Sequence, residues 1–222
     1  MKKTSLSILS LICFSIFSQA QINKGTVLLG GGVSGNAYKW ETSSNNAKTT
    51  GFVVYPSIGL AVKDNLVIGV KGGYAQSVSE YNGSSENQPK YHDYSGGFFL
   101  RRYVPLGKSF YLFGEVGAIY TQSKMNQYFE YSPGMFGKTT QVDRSIGFSV
   151  YPGITYTVNK NIHLELGMNN LVAMSFTESK AESDAGGIVS SSKSKGLSFS
   201  SSMSASVPFT VGFRIALAKK GK

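Results

Sequence analysis

Hydrophobic and polar residues alternate with a period of two along most of the chain. In segment 110–120 every second residue is apolar or glycine, and an aromatic residue, Phe110 or Tyr120, stands at each end. Successive side chains of a β-strand point to opposite faces, so this segment is predicted to be a strand with one apolar face. Related patterns predict eight strands in all, at 26–38, 52–62, 66–74, 94–104, 110–120, 146–158, 162–168 and 207–217.

The connections between the predicted strands alternate in length. Residues typical of tight turns fill the short ones, at 63–65, 105–108 and 159–161. The long ones are polar and are predicted to be loops, at 39–50, 78–91, 121–140 and 177–198. Short turns at one end and long loops at the other are typical of outer-membrane barrels, whose turns lie in the periplasm and whose loops lie outside.

The apolar faces are expected to point outward, into lipid. Phe110 and Tyr120 are about ten residues apart, roughly what a tilted strand needs to cross the hydrocarbon. A soluble exported β-sandwich or lipocalin-like barrel is the competing interpretation, but so many outward apolar faces would aggregate in water. The predicted fold class is therefore all-β: an eight-stranded antiparallel up-and-down transmembrane β-barrel.

The first twenty residues have the features of a secretory signal peptide. Lys2 and Lys3 precede an apolar run too short for a spanning helix, and Ser-Gln-Ala at 18–20 is a small-x-small cleavage sequence. The only cysteine, Cys13, lies inside this run and follows Ile12 rather than a small residue, which disfavours a lipoprotein. We predict a signal peptide at 1–20 and a barrel domain at 21–222, in the outer membrane of a Gram-negative cell envelope.

The charge of the chain is strongly positive. It is formally +10, and removal of Lys2 and Lys3 leaves 10 − 2 = +8. An exported protein does not normally meet nucleic acid, so the expected partners are outer-membrane lipid and lipopolysaccharide, whose phosphates Arg144 at the outer edge of the lipid face would meet. The alternative is that basic loops only keep the protein soluble. The sequence indicates no cofactor and no metal site.

The faces opposite the apolar ones carry charged residues. Five of them are predicted to form a charge network in the barrel lumen: Lys71, Arg101, Glu115, Glu165 and Arg214. An eight-stranded barrel is about wide enough to be filled by side chains, and charges inside it must be paired or hydrated. The favoured interpretation is a polar plug that stiffens the barrel. The alternative is a narrow charged conduit.

A short motif occurs twice, at an offset of 96 residues. Val-Tyr-Pro-x-Ile stands at 54–58 and again at 150–154, and both tyrosines are predicted to face inward. Proline has no amide hydrogen for the ladder, so a β-bulge is expected at Pro56 and at Pro152. The repeat is either a duplicated hairpin or, as we prefer, two similar solutions to one geometric problem.

Catalytic residues are not indicated. The two histidines, His92 and His163, lack the nucleophile-elbow context of a hydrolase, although His163 is predicted to face inward next to Glu165. Gly30 to Gly32 are followed by a polar loop and not by the helix of a phosphate-binding loop. A lipid-modifying hydrolase is therefore a minor alternative.

Several motifs resemble those of the outer membrane β-barrel domain family, small porin-like barrels similar in shape to the OmpA transmembrane domain and OmpX. They are Tyr-Pro-x-Ile-Gly and Asp-Asn-Leu-x-Ile-Gly within 55–69, then Phe-Leu-Arg-Arg-Tyr, Pro-Leu-Gly-Lys and Tyr-Leu-Phe-Gly-Glu within 99–115. The resemblance covers the mature chain and implies insertion by the barrel-assembly machinery, with a monomer expected. One departure is that a basic tail follows Phe213 to Leu217, where such barrels often end on an aromatic residue.

The favoured function is a non-enzymatic integral outer-membrane protein with a structural or surface-interaction role through its long outer loops. Aromatic residues and a methionine suited to adhesive contact lie in or next to these loops: Tyr38, Trp40, Tyr128, Tyr131, Met135 and Phe136. The main alternative is a narrow pore or small-solute channel. The sequence does not identify an extracellular partner.

Overall fold

Ten strand segments make up nearly all of the computed structural model, which describes residues 22–41, 46–81, 88–132, 134–168, 171–201 and 209–217. The predicted signal peptide lies outside these residues. None of the described segments is a helix long and apolar enough to cross a membrane. The strands are β1 (Val27–Glu41), β2 (Asn46–Lys63), β3 (Leu66–Tyr81), β4 (Lys90–Pro105), β5 (Phe110–Ser132), β6 (Met135–Thr157), β7 (Ile162–Met168), β8 (Val172–Ala185), β9 (Ile188–Ser201) and β10 (Phe209–Leu217).

The ten segments form eight antiparallel strands, two of them interrupted. β7 and β8 pair with β6 in succession along its length, and β10 and β9 pair in turn with β7 and β8. The ring closes where β1 meets β10, from the pair Val27–Leu217 to the pair Gly31–Phe213. The predicted eight-stranded up-and-down barrel is therefore confirmed.

The predicted alternation of side chains is visible in β5. Phe110 and Tyr120 are about half exposed on the outer surface, at 50% and 45%, whereas Tyr111 and Phe113 are buried inside. Outward aromatic rings contact each other at both edges of the apolar belt: Phe110 with Tyr156 at one edge, and Tyr74 with Phe52 and Tyr94 at the other. The belt is about 25 Å tall for tilted strands of this length.

Buried side chains fill the lumen at the end where the short turns lie, here called the short-turn end. The set that we call the apolar plug comprises Leu28, Val67, Phe99, Tyr103, Tyr111 and Phe113. Residues 22–26 close this end, because the Ile22 amide donates to Asn65 Oδ1 at 3.0 Å and the Asn65 amide donates back to the Ile22 carbonyl at 2.9 Å. The lumen is thus filled by side chains at the short-turn end.

The prediction of long loops at the opposite end, here called the hairpin end, is wrong. Much of segments 39–50, 78–91, 121–140 and 177–198 is strand, and the β5–β6 ladder continues from Thr121–Ser145 to Glu130–Phe136. The reason is that a polar two-stranded ribbon keeps its backbone hydrogen bonds without an apolar face, so its sequence has no hydrophobic period. Among the described turn residues, Gly134 (φ 75°) and Gly187 (φ 86°) are in the left-handed region that favours glycine.

One line of the wall is paired only over part of its height. Beyond Gly31, β1 pairs with β2 alone among the described residues, and β9 likewise pairs only with β8. Outward side chains along this line, here called the seam, are 71–73% exposed, for example Val33 and Val211, against 47% for Ile58 within the wall. Among the described residues, side chains at the seam lack a neighbouring strand on one side.

The prediction of β-bulges in β2 at Pro56 and in β6 at Pro152 is wrong. The β1–β2 register passes through Gly31–Pro56 without a shift, and the β5–β6 register passes through Gly114–Pro152 in the same way. Proline removes a hydrogen bond but adds no residue, so the strand keeps its phase. Near Pro152 the irregularity lies in the neighbouring strand, where β7 gives way to β8.

Inward aromatic rings instead lie over glycines of adjacent strands. Tyr55 covers Gly32 of β1, Tyr151 covers Gly167 of β7, and Phe113 covers Gly153 of β6. A side chain at these glycines would occupy the space of the ring.

The first prediction concerns Gly153→Ala. A Cβ atom there would lie 2.6 Å from the carbonyl oxygen of Leu166 and would overlap the Phe113 ring, so the free energy of unfolding should fall by about 1–3 kcal/mol. The measurement is a urea titration of the protein in detergent micelles. Gly114→Ala is the matched control, because a Cβ atom there meets nothing within 4 Å. Equal stability of the two variants would contradict the packing.

The second prediction concerns the hairpins. Amide hydrogens in the β5–β6 ladder beyond Tyr120 should exchange at least about a hundredfold slower than in an unstructured chain, an opening free energy of roughly 3 kcal/mol. Hydrogen–deuterium exchange with peptide mass spectrometry measures this. Exchange of 121–132 at the rate of free peptide would show that these residues are loops after all.

Candidate functional site

All five residues of the predicted lumen charge network lie together directly above the apolar plug. Each occupies an inward position on a different strand: Lys71 on β3, Arg101 on β4, Glu115 on β5, Glu165 on β7 and Arg214 on β10. The period-two pattern fixes this common side, and the registers bring the five positions to similar heights. Arg101 is directly opposite Glu115 in the β4–β5 ladder.

Arg101 is the centre of the network. Its Nε and Nη2 donate to Glu115 Oε2 at 2.9 and 2.6 Å, and its Nη1 donates to Glu165 Oε1 at 2.6 Å. The residue is only 2% exposed, and the guanidinium carbon lies 4.1 Å from the centre of the Phe113 ring. One cation therefore joins two carboxylates from β5 and β7, which are the two strands that flank the lower part of β6.

Arg214 and Lys71 complete the network at its two ends. Arg214 Nε donates to Glu165 Oε1 at 2.8 Å, and its Nη1 donates to Ser57 Oγ at 3.3 Å. Lys71 Nζ donates to Glu115 Oε1 at 3.0 Å. The continuous chain of hydrogen bonds reaches from β2 and β3 to β7 and β10, so it ties strands together across the interior.

Tyr103 was not singled out from the sequence, yet it belongs to the same network. Its hydroxyl accepts a hydrogen bond from Arg101 Nη1 at 3.2 Å and donates one to Glu165 Oε1 at 3.4 Å. The available signal was its position two residues after Arg101, which places it on the same inward face. Ser57 likewise belongs to the network without having been predicted, and its position two residues after Tyr55 places it on the inward face.

Above the network is a cavity of about 270 Å³, here called the cup. Lys71, Arg214 and Ser57 contribute to its floor, and Tyr55 and Tyr151 stand at its sides. The Tyr151 hydroxyl is 2.8 Å from Thr210 Oγ1. The cup lies on the side of the network away from the apolar plug, so it faces the hairpin end.

Neither histidine is part of a catalytic arrangement in the described residues. His163 is 4% exposed, its ring stacks on Tyr111 with the centroids 6.3 Å apart, and its Nδ1 has no hydrogen-bond partner there. His92 is within β4 rather than at a loop, and its Nδ1 is 3.2 Å from the Tyr74 hydroxyl. The described residues also contain no group of three or more potential metal ligands.

Arg144 is exposed on the outer surface, beyond the apolar belt. It is directly opposite Glu178 of β8, and Glu178 is opposite Lys195 of β9. Lys193 Nζ lies 2.8 Å from Glu178 Oε1, and this hydrogen bond lowers the pKa of the Glu178 carboxyl. Together with Lys180, these cations form a basic ledge, defined here as Arg144, Lys180, Lys193 and Lys195.

The comparison with known families gives one match that covers most of the chain. The model of the outer membrane protein beta-barrel domain matches residues 6–188. No curated protein matches the chain.

Two solved structures were matched at low sequence identity. The chain is similar to the outer membrane protein OprG from Pseudomonas aeruginosa, with 12% identity, a TM-score of 0.48 and coverage of 89% of this chain and 98% of that one. It is also similar to the translocator domain of the autotransporter NalP from Neisseria meningitidis, with 9% identity, a TM-score of 0.42 and coverage of 97% and 95%. On the strength of the domain match, the chain belongs to the outer membrane protein β-barrel domain family, and it is an outer-membrane protein.

Proposed function

We propose that this protein is a non-conducting, non-enzymatic outer-membrane barrel that acts through the hairpins it holds outside the cell. The carrying observation is that the lumen is filled by the apolar plug and the lumen charge network. Export would use residues 1–20, cleaved after Ala20. With the short turns in the periplasm, the hairpin end faces outward.

The plug supports a structural role for the lumen charges rather than a conduit. Arg101, Glu115 and Glu165 are each less than 8% exposed, so water and ions have little access to them. Removing one member of a buried ion pair costs about 3–5 kcal/mol, because the partner is left charged and unpaired. Breaking these ion pairs to let an ion through the lumen would therefore cost several kcal/mol of free energy.

The hairpins support a role at the surface. β5 and β6 continue for about ten residues beyond Tyr120, which is roughly 30 Å of ladder outside the apolar belt. Such ladders present rigid faces, and outward aromatic residues such as Tyr128 and Phe136 remain about half exposed. A rigid ribbon loses little conformational entropy on binding, which favours contact with a partner.

The basic ledge supports contact with lipopolysaccharide. It stands immediately beyond the outward apolar residues Phe176 and Leu197, the level at which lipid phosphates begin. Cations near an anionic membrane surface are each worth about 1 kcal/mol. Lipopolysaccharide phosphates at the outer rim would thus fix the depth of the barrel.

The third prediction tests the closed lumen. The protein should show no steady single-channel openings in planar lipid bilayers, whereas the double variant Tyr103→Ala and Phe113→Ala should open, because both side chains leave the apolar plug. Each truncation also costs about 3–5 kcal/mol, so folding is checked by the heat-dependent mobility of the band on gels.

The control for this experiment removes two aromatic rings from the opposite face. Phe110→Ala and Tyr156→Ala lie at the same end of the barrel but point outward. This variant should show no steady single-channel openings. Steady openings of the unaltered protein would overturn the proposed non-conducting role and favour the narrow channel.

The fourth prediction concerns the basic ledge. The variant Lys180→Gln and Lys195→Gln removes two charges worth roughly 2 kcal/mol, so its affinity for lipid A in non-ionic detergent should fall about thirtyfold at low salt. Isothermal titration calorimetry measures the affinity. Lys108→Gln and Lys160→Gln is the control, with the same charge change in the exposed turns of the short-turn end. Equal losses in both variants would show attraction to net charge alone.

A further inference from the structure

The charges at the floor of the cup do not cancel. Lys71, Arg101 and Arg214 contribute three positive charges, and Glu115 and Glu165 contribute two negative ones, which leaves 3 − 2 = +1. Burial makes an uncompensated charge costly, so the floor favours the approach of an anion.

Lys71 is the cation that a solute in the cup can reach. Its side chain is 25% exposed, whereas those of Arg101 and Arg214 are 3% and 6% exposed. Its ammonium group has three hydrogens, and among the described residues one of them is donated, to Glu115 Oε1. Gly117 leaves room for this arrangement, because a Cβ atom there would lie 3.1 Å from Lys71 Nζ.

The sides of the cup carry hydroxyl groups. They belong to Tyr55, Ser149, Tyr151 and Thr210, and Ser57 adds one more hydroxyl at the floor. In the described part of the chain the Tyr55 hydroxyl has no hydrogen-bond partner. Thr210 Oγ1 donates to the Gly167 carbonyl at 3.5 Å and is bonded to the Tyr151 hydroxyl at 2.8 Å, so this pair offers a ligand its acceptor oxygens. The two repeated Val-Tyr-Pro motifs of the sequence thus place one tyrosine at each side of the same cavity.

A solute can enter the cup from the hairpin end. Several inward positions above the floor are small, Gly97 and Ser95 on β4 and Gly147 and Ser145 on β6, with Ile119 of β5 between the two glycines. Two inward carboxylates, Asp93 and Asp143, flank Ser123 at one level, about 13 Å along β4 above the Lys71 level. They repel a dianion more strongly than a monoanion, and a monoanion is also what neutralises a floor of charge +1.

We propose that the cup binds a small hydroxylated monocarboxylate, such as a sugar acid, from outside the cell. The carboxylate meets Lys71, and the hydroxyl groups of the ligand bond to the tyrosine, serine and threonine hydroxyls. The cavity of about 270 Å³ is close to the lower end of known small-molecule sites. This binding goes beyond the role of the hairpins and does not depend on whether the barrel conducts.

The test uses three probes on the folded barrel in non-ionic detergent, with isothermal titration calorimetry. D-Gluconate combines charge and hydroxyls, acetate has the charge alone, and D-glucose has the hydroxyls alone. Gluconate should bind at least about tenfold more tightly than acetate, and glucose should not bind measurably. Absence of gluconate binding, or glucose binding as tight as gluconate, overturns the proposal.

Variants assign the binding to the cup. Lys71→Gln should weaken gluconate binding at least tenfold, and Tyr55→Phe, which keeps every charge, should weaken it severalfold. Lys124→Gln is the matched control, since this exposed lysine on the outer face of β5 carries the same charge. Equal affinity of Lys71→Gln and Lys124→Gln overturns the site. Gel mobility before and after heating shows that each variant is folded, so loss of binding is not loss of structure.

Discussion

Backbone hydrogen bonding in hydrocarbon is the constraint on which this structure depends. No water is present there to satisfy an amide or a carbonyl group, so a sheet that crosses the membrane must close on itself. Closure in turn fixes the two faces of every strand. One face meets lipid and becomes apolar, while the other meets a lumen too narrow for bulk water and has to be filled by its own side chains.

The filling has two layers with different physics. At the short-turn end, aromatic and aliphatic side chains pack over glycines of adjacent strands, and volume decides the fit. Above them, Arg101 is shared by Glu115 and Glu165, and hydrogen-bond geometry decides the fit. The layers depend on each other, because Phe113 contacts the guanidinium and Tyr103 bonds to both Arg101 and Glu165. For a role at the surface, this interior only has to hold the barrel rigid. For ligand binding, the net positive charge of the lumen charge network is what attracts the ligand.

The sequence predicted what depends on the period of two. Given the alternation, Lys71, Arg101, Glu115, Glu165 and Arg214 had to share the inner face. The extended hairpins could not be predicted in this way, because segments such as 121–132 mix polar and apolar residues on both faces and have no continuous apolar face. The distances between charges also depend on the stagger of strands far apart in sequence, and no local pattern encodes that stagger. Tyr103 shows the remaining difficulty, since an inward aromatic residue gives no sign of whether it packs or donates a hydrogen bond.

The seam has a consequence for how the barrel forms. The β5–β6 ladder joins neighbours in the chain and runs from Phe110 to Ser132, but the β1–β10 ladder joins Val27 to Leu217 and ends at Gly31. Bringing the two ends of the chain together costs the most loop entropy of any pairing, and only a short ladder offsets that cost. Ring closure is therefore expected to be the slow, final step of folding. Until the ring closes, β1 and β10 would each keep an edge with unpaired backbone groups.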